Sequence, residues 1–205
     1  MFRSSATQTS KVAQETEGGL AWLGITQDND TLFDILLIKS PLVLIAWALL
    51  ALLPRWRYSQ PIAQAIGLLF AVLYVLLFID GIFNPIDFNK ITGGKFKDVF
   101  SLFYSLEGVH YLFSQKASCF GGWIHYVVFD LWTGIWIARD SVERNIPQVL
   151  LIPALFFTMM LGPSGLLLYT ILSFLWTNFV RQAKAMEGEN VSTLSGSGEG
   201  KEKKA

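Results

Sequence analysis

Two titratable side chains, His125 and Asp130, lie inside the apolar stretch WIHYVVFDLWTGIWIARD, which runs from Trp123 to Asp140. A carboxyl group near the centre of a bilayer costs about 2.5 to 3.5 kcal/mol on insertion scales, so intramembrane acids usually mark a functional site or a specific partner. A carboxyl and an imidazole in a dry apolar pocket are suited to general acid and base catalysis. The stretch therefore indicates that acid and base chemistry in an apolar cavity is available, with Asp130 and His125 as its titratable groups.

Helical spacing of 100° per residue divides this stretch into two faces. One face carries a stripe of rings, ending near Arg139: His125, Phe129, Trp132 and Trp136. The roughly opposite face has Tyr126 one turn before the acid and otherwise comprises Trp123, Asp130, Gly134 and Ile137. The tryptophans of the stripe are candidates for stacking on a polyene, with ordinary packing as the alternative. Functional groups on both flanks favour a helix that lies among other helices.

The last apolar segment is interrupted by the sequence GPSG, from Gly162 to Gly165. Pro163 lacks a backbone donor and the flanking glycines allow the chain to open, so the pattern predicts a broken helix. At 1.5 Å per residue, both Asp130 and this break lie about 15 Å from one membrane surface.

We therefore expect Asp130 to meet the N-terminus of the helix that follows the break, where backbone N–H groups favour a carboxylate or a polar ligand group. The alternative is a plain proline kink, with Asp130 hydrogen-bonded to Tyr126 or another neighbour. For His125 the alternative is a simple hydrogen bond to a carbonyl of an adjacent helix.

The composition of the whole chain is that of a membrane protein. It has 205 residues, a mean hydropathy of +0.43, 52% hydrophobic residues and 16% charged residues. A bilayer core of about 30 Å needs roughly 20 apolar residues in a helix. Four segments qualify: 32–53, 62–83, 119–138 and 149–180. The prediction is an all-α integral membrane bundle of four transmembrane helices, within a domain of residues 31–182.

Residues 95–116 are too polar to span but have helical periodicity, so we expect one amphipathic interfacial helix there. Glu107 and His110 on this helix resemble half of a di-iron motif, but the further glutamates are absent from the spans, so no metal is expected. The segments 1–30 and 183–205 are predicted to be a flexible N-terminal tail and a disordered C-terminal tail.

Several classes of function are excluded by the sequence. The formal charge is zero and no nucleic-acid-binding motif is present, so nucleic acid is not an expected partner. The single cysteine, Cys119, rules out an intramolecular disulfide and is expected to pack. No Walker loop, Rossmann fingerprint, GxSxG or HExxH sequence occurs, which excludes the familiar nucleotide-driven and hydrolytic enzymes.

The last two predicted spans resemble the abscisic-acid-deficient-four-like family of plastid and bacterial membrane proteins. The resemblance is carried by WIHYVVFDLWTGIWIARDS and IPQVLLIPALFFTMMLGPSGLLLY, and more loosely by PRWR and FNP after the first two spans. The matching positions are Trp123, His125, Phe129, Asp130, Leu131, Gly134, Arg139, Asp140, Pro147, Pro153, Gly162, Pro163, Gly165 and Tyr169. Coverage is about residues 30–180.

The resemblance implies a role in xanthophyll biosynthesis in the plastid envelope or thylakoid. The reaction it implies is the redox-neutral isomerisation of an epoxy-xanthophyll such as violaxanthin to an allenic one such as neoxanthin, without a cofactor. On this hypothesis Asp130 and His125 are catalytic, and Arg139 and Asp140 orient the hydroxylated ring. The full set of expected substrate-binding residues is Trp123, Tyr126, Trp132, Trp136, Arg139, Asp140, Gly162, Pro163, Gly165 and Tyr169.

The main alternative is a non-catalytic carotenoid-binding or assembly subunit of a photosynthetic membrane complex. In that case the expected partners are the lipid bilayer, a carotenoid pigment and other membrane proteins. A small transporter with the broken helix as its gate is a weaker alternative, because four helices without an inverted repeat are unlike known transporters.

Overall fold

The computed structural model describes residues 29–39, 41–83 and 99–199, and every regular element in these ranges is helical. The helices are α1 (Asn29–Phe33), α2 (Leu42–Leu52), α3 (Ser59–Phe83), α4 (Val99–Leu102), α5 (Leu106–Ser114), α6 (Lys116–Glu143), α7 (Gln148–Leu161) and α8 (Pro163–Glu199). A π-helical segment, Asp34–Lys39, follows α1. The prediction of an all-α protein is confirmed.

Two of the four predicted apolar segments form single helices. The segment 62–83 lies within α3, and 119–138 lies within the longer α6. The segment 32–53 is divided instead, because Pro41 precedes α2 and separates it from the π-helical residues. Proline has no backbone N–H and restricts the residue before it, so a helix begins after it more readily than it continues through it.

The predicted amphipathic helix, 95–116, also differs from the structure. Residues 95–98 lie outside the described residues, and the remainder forms α4 and α5 with a break between them. The Ser105 hydroxyl accepts a hydrogen bond of 3.0 Å from the Gly108 N–H, which caps the start of α5. Gly108 packs directly on the backbone of Leu102, so the two short helices meet closely.

The segment 149–180 is a helical hairpin and not the single broken span that was expected. α7 ends at Leu161, Gly162 has a φ of +37°, and Pro163 begins α8. A Cβ atom at Gly165 would overlap the backbone of Thr158. In one straight helix residues seven apart are separated by about 10 Å, so this contact requires α8 to fold back along α7.

The two predicted tails have different outcomes. Apart from Asn29 and Asp30, the N-terminal tail lies outside the described residues. α8 continues to Glu199, so much of the predicted disordered tail, 183–205, is helical in the structure. Sequence periodicity missed this because the Gly/Ser-rich end of α8 has no apolar stripe.

α6 is the central helix of the bundle and contacts α2, α3, α5 and α7. Trp132 of α6 lies against Gly67 of α3, and His125 lies against Tyr74, seven residues further along α3. The order of these contacts shows that α3 and α6 are antiparallel. Trp47 of α2 packs on Gly134, where a Cβ atom would be 2.6 Å from the indole ring.

Two connections meet at the C-terminal end of α6. The Gln148 side-chain amide donates to the carbonyls of Ala51 and Leu52, both at 2.9 Å, and so satisfies the C-terminal end of α2. The Arg55 guanidinium donates to the Ile146 carbonyl at 3.3 Å. These bonds fix the start of α7 relative to α2.

Within the described ranges, two helices are long and apolar enough to cross a membrane: Ser59–Asp80 within α3 and Pro163–Ala183 within α8. The described part of α3 also exposes large side chains along its length: Leu68, Leu69, Val72, Val75 and Phe78. Soluble proteins rarely expose contiguous apolar surface of this extent. These features favour membrane association, and four crossings stay a prediction.

Candidate functional site

The Asp130 carboxylate lies against the tip of the α7–α8 hairpin. An ideal Cβ atom on Gly162 would be 2.5 Å from Asp130 Oδ1 and 3.3 Å from its Cγ, so the glycine backbone packs directly on the carboxylate. The sequence predicted that this acid would meet the glycine–proline interruption, and the structure brings Asp130 and Gly162 together. The partner of the acid is a hairpin turn and not a kink in a continuous helix.

The polar groups of the hairpin tip are bonded within the hairpin. The Gly162 N–H donates to the Thr158 carbonyl at 2.9 Å, and the Leu166 N–H donates to the Gly162 carbonyl at 3.2 Å. The Ser164 hydroxyl donates to the Leu161 carbonyl at 3.1 Å. Each of these bonds is local, so the tip keeps its conformation without a contribution from α6.

Among the described residues, none donates a hydrogen bond to the partly buried Asp130 carboxylate. The expected alternative, a hydrogen bond with Tyr126, is therefore not present in the described part of the chain. A carboxyl group in apolar surroundings without an internal donor is available to a ligand.

A second contact between α6 and the hairpin lies about 15 Å from the first, ten residues further along α6. The Tyr169 hydroxyl donates to Asp140 Oδ2 at 2.6 Å, and Arg144 Nε pairs with the same oxygen at 2.7 Å. Tyr169 also packs edge-on against Trp136, with ring centroids 5.7 Å apart. We call Tyr169, Asp140 and Arg144 the pin, because they fix α8 to the C-terminal end of α6.

Several of the predicted substrate-binding residues, inside and outside the pin, have structural roles or contacts within the protein. Asp140 and Tyr169 have each other as partners, and the hydrogen bond with Asp140 raises the pKa of the Arg144 guanidinium above its ordinary value. Arg139 forms an exposed pair with Glu143 at 3.1 Å. Gly165 has a structural contact, the close approach to Thr158, and Pro163 is the first residue of α8.

His125 does not share a site with Asp130. Its ring lies 4.5 Å from that of Phe129 and 5.4 Å from that of Tyr74, so it faces α3. Five residues of helix separate His125 from Asp130 by about 7.5 Å and 140°, and the acid faces the hairpin instead. The structure does not bring the two predicted catalytic residues together.

The remaining predicted residues fall on two exposed faces of α6. Trp123 and Tyr126 are 52% and 59% exposed and share the face of Asp130. Trp132 and Trp136 are 38% and 49% exposed and share the face of His125, where Trp132 covers Gly67 of α3.

Sequence reasoning missed Arg144, Thr158 and Trp47, which contact Asp140, Gly165 and Gly134 respectively. The i, i+4 spacing of Asp140 and Arg144 was a usable signal for the first. The other two depend on tertiary packing. Within the described residues, no group of three or more His, Cys, Asp and Glu side chains is arranged to hold a metal ion.

A family model described as ABA DEFICIENT 4-like matches residues 32–169, more than half of the chain. The chain belongs to this family. No curated protein and no solved structure matches it. The ABA DEFICIENT 4-like match includes Asp130, the hairpin tip and the pin, and it ends at Tyr169. Every predicted site residue therefore lies inside the ABA DEFICIENT 4-like region, and the distal part of α8 lies outside it.

Proposed function

We propose that this protein is an integral membrane enzyme of the plastid that isomerises an epoxy-xanthophyll such as violaxanthin to an allenic xanthophyll such as neoxanthin. Membership of the ABA DEFICIENT 4-like family supports the pathway. The observation that carries the chemistry is the Asp130 carboxylate, which lies at the hairpin tip without an internal donor among the described residues. The membrane that hosts the reaction is the plastid envelope or the thylakoid.

The reaction requires two proton transfers and no electron carrier. An acid protonates the epoxide oxygen as its bond to the polyene-side ring carbon breaks, which leaves a tertiary alcohol. A base removes the proton from the adjacent polyene carbon, and the electron pair of that C–H bond forms the second double bond of the allene. Atoms and charge balance, so the substrate and product are isomers.

We assign both proton transfers to Asp130. His125 faces α3 and is turned about 140° away around the helix, so it is poorly placed to act on a substrate at the hairpin tip. A protonated carboxyl can donate through one oxygen and accept through the other, which returns it to its starting state after each turnover. An uncharged carboxyl is also the form that an apolar site favours.

The replacement Asp130→Asn tests this assignment because it preserves shape and removes the acid. General acid–base catalysis contributes typically about 10²- to 10⁴-fold, so we expect allenic product to fall by about 100-fold or more. The variant and the wild type would be expressed in a bacterial host that accumulates violaxanthin, and the pigments separated by chromatography. Asp34→Asn is the matched control, since Asp34 is an exposed acid of the π-helical segment.

Equal amounts of membrane-embedded protein must be confirmed by immunoblotting before product levels are compared. Asp34→Asn should retain product formation close to that of the wild type. If Asp130→Asn also retains it, the assignment of Asp130 is wrong. Loss of product in both variants would show that the effect is not specific to the hairpin tip.

The second candidate, a non-catalytic carotenoid-binding subunit, is favoured by the exposed aromatic stripe on the other face of α6. Phe129 and Trp136 are 61% and 49% exposed and offer flat apolar surface to a polyene. A protein of this kind should bring the same pigment through purification whether residue 130 is Asp or Asn. The same pair of variants therefore distinguishes the two functions.

A further inference from the structure

We infer that the substrate reaches Asp130 through a bay on the N-terminal half of α6, and that this bay holds one end group of the xanthophyll at a time. The identity of the ligand rests on the proposed function. The bay is a different surface from the aromatic stripe that faces α3 and is defined by its floor, its two flanks and the hairpin tip.

The floor of the bay is one face of α6. Trp123, Tyr126 and Asp130 are spaced i, i+3 and i+7, so their side chains lie along one line of the helix. The hairpin covers this face only from Asp130 towards the C-terminal end, because α8 turns back at Gly162. Trp123 and Tyr126 lie beyond the tip, which is why more than half of each is exposed.

Two short elements flank the floor. On one side α1 brings the Phe33 ring to 6.2 Å from the Trp123 ring. On the other side α5 brings Phe113 against Gly122, where an ideal Cβ atom would be 2.6 Å from the phenylalanine ring. The hairpin tip closes the inner end, so the bay is apolar and aromatic on its sides with one carboxyl group at its inner end.

This arrangement matches a neutral amphiphile with a polar end on a rigid apolar rod. A hydroxyl or epoxide oxygen can exchange a hydrogen bond with the carboxyl, and the polyene can lie against Trp123 and Tyr126. From Lys116 to Asp130 the helix rises about 21 Å, less than the roughly 30 Å thickness of a bilayer core. A xanthophyll that spans the membrane therefore fits by one end only.

The aromatic stripe on the other face does not offer the same chemistry. The His125 ring packs at tilted angles against Phe129 and Tyr74, and Trp132 lies over Gly67 of α3. These contacts occupy part of the stripe, and its exposed surface, which includes Phe129, is apolar and has no carboxyl group. The stripe fits lipid or a neighbouring protein better than it fits a reacting end group.

The test measures binding separately from reaction. Purified full-length protein would be titrated with a dihydroxy xanthophyll that has no epoxide, and its Kd taken from the shift in visible absorption. Trp123→Ala and Tyr126→Ala change the bay. Phe129→Ala is the matched control on the stripe, since its exposed fraction of 61% resembles the 52% and 59% of the bay residues. Trp136 is left unchanged, because it packs on Tyr169 of the pin.

We expect each bay variant to raise Kd by about tenfold, the effect of losing one aromatic contact, and the stripe variant by less than about twofold. Tyr126→Phe should restore binding, because it returns the ring. The bay is refuted if the stripe variant weakens binding and the bay variants do not, if all three variants are equal, or if the wild type fails to bind the probe.

The outcome also separates this inference from the proposed reaction. If the bay variants weaken binding of the probe while wild-type protein forms no allenic product from violaxanthin, the bay stands and the isomerase function fails. If product forms but depends on Phe129 instead of Trp123 and Tyr126, the isomerase function stands and the bay fails.

Discussion

At the scale of single residues, Asp130 and Gly162 constrain each other. The carboxylate occupies the space that a side chain at position 162 would need, and the φ of +37° at Gly162 is one that residues with a Cβ atom rarely adopt. The turn of the hairpin and the position of the acid therefore depend on the same missing methyl group.

Gly162→Ala should destabilise the protein by about 1 to 3 kcal/mol, from backbone strain together with displacement of the carboxylate. The free energy of unfolding in mixed micelles would measure this change. Gly121→Ala is the control, because an added Cβ at Gly121 meets nothing within 4 Å, and alanine there should be neutral or slightly stabilising.

A double variant identifies the source of the cost. Adding Asp130→Ala to Gly162→Ala should recover part of the lost stability, since the carboxylate is then absent. If Gly162→Ala is as stable as Gly121→Ala, the close packing of this glycine on Asp130 is not real.

At the scale of elements, the α7–α8 hairpin is held to α6 at two points. The tip touches Asp130, and the pin joins Tyr169 to Asp140 and Arg144. The two points lie about 15 Å apart along α6, so together they fix both the depth and the direction of α8. The inner end of the bay depends on this fixed depth.

Tyr169→Phe removes the hydroxyl of the pin and keeps the ring on Trp136. A hydrogen bond to a charged group contributes about 1.5 to 3 kcal/mol, and Asp140 keeps Arg144 as a partner, so we expect a loss near the lower end of that range. Hydrogen exchange should also become faster at backbone amides of α8 near Tyr169 than at those of α3. Tyr104→Phe is the control, since Tyr104 is 88% exposed.

The pin would lose its proposed role if Tyr169→Phe and Tyr104→Phe had the same stability and the same exchange rates. A cycle with Asp140→Asn gives a further check, because the two changes should not be additive if they remove the same bond.

At the scale of the whole molecule, the orientation of α6 relative to the membrane determines which side each of its ends faces. α6 has 28 residues, enough to cross, but it is not among the two helices that are apolar enough by composition. Its antiparallel contacts with α3, which does qualify, favour a crossing. If α6 crosses, its two ends face opposite sides of the bilayer.

Labelling with a membrane-impermeant maleimide tests this crossing in sealed vesicles. Cys119 is the only cysteine of the chain and lies near the start of α6. The expectation that it packs was wrong, because its side chain is exposed on that helix. A second protein would carry Cys119→Ser and Glu143→Cys, which places the thiol at the other end of α6 and removes only an exposed ion pair of small energetic value. We expect the two thiols to react from opposite sides, and reaction from the same side would contradict a crossing.

The sequence contained enough information to predict the helical class, two of the long helices and the meeting of Asp130 with the glycine–proline interruption. These follow from local patterns, namely apolar length, helical period and the effect of proline on a helix. The hairpin was not predictable in the same way. A broken span and a sharp turn both place Pro163 after Gly162, and the contact of Gly165 with Thr158 that decides between them is tertiary.

The helical spacing showed that His125 and Asp130 point in different directions, but it did not show which neighbouring helix each side chain contacts. Which neighbour each side chain faces depends on how α3 and the hairpin pack around α6, and that packing follows from Gly67, Gly134 and Gly165, none of which has a distinctive local signature. The continuation of α8 to Glu199 was missed because its Gly/Ser-rich and charged composition has too little apolar surface to predict a packed helix.

The side-chain amide of Gln148 has one more consequence, for the lipid around the protein. It satisfies two carbonyls at the end of α2, and the exposed Arg55 and Arg57 follow directly, so this helix of 11 residues, about 16 Å long, should end at a membrane surface. α7 has 14 residues and is also short. Acyl chains beside these two helices would have to shorten or splay to meet them, so the bilayer should be locally thin on that flank and thicker beside α3.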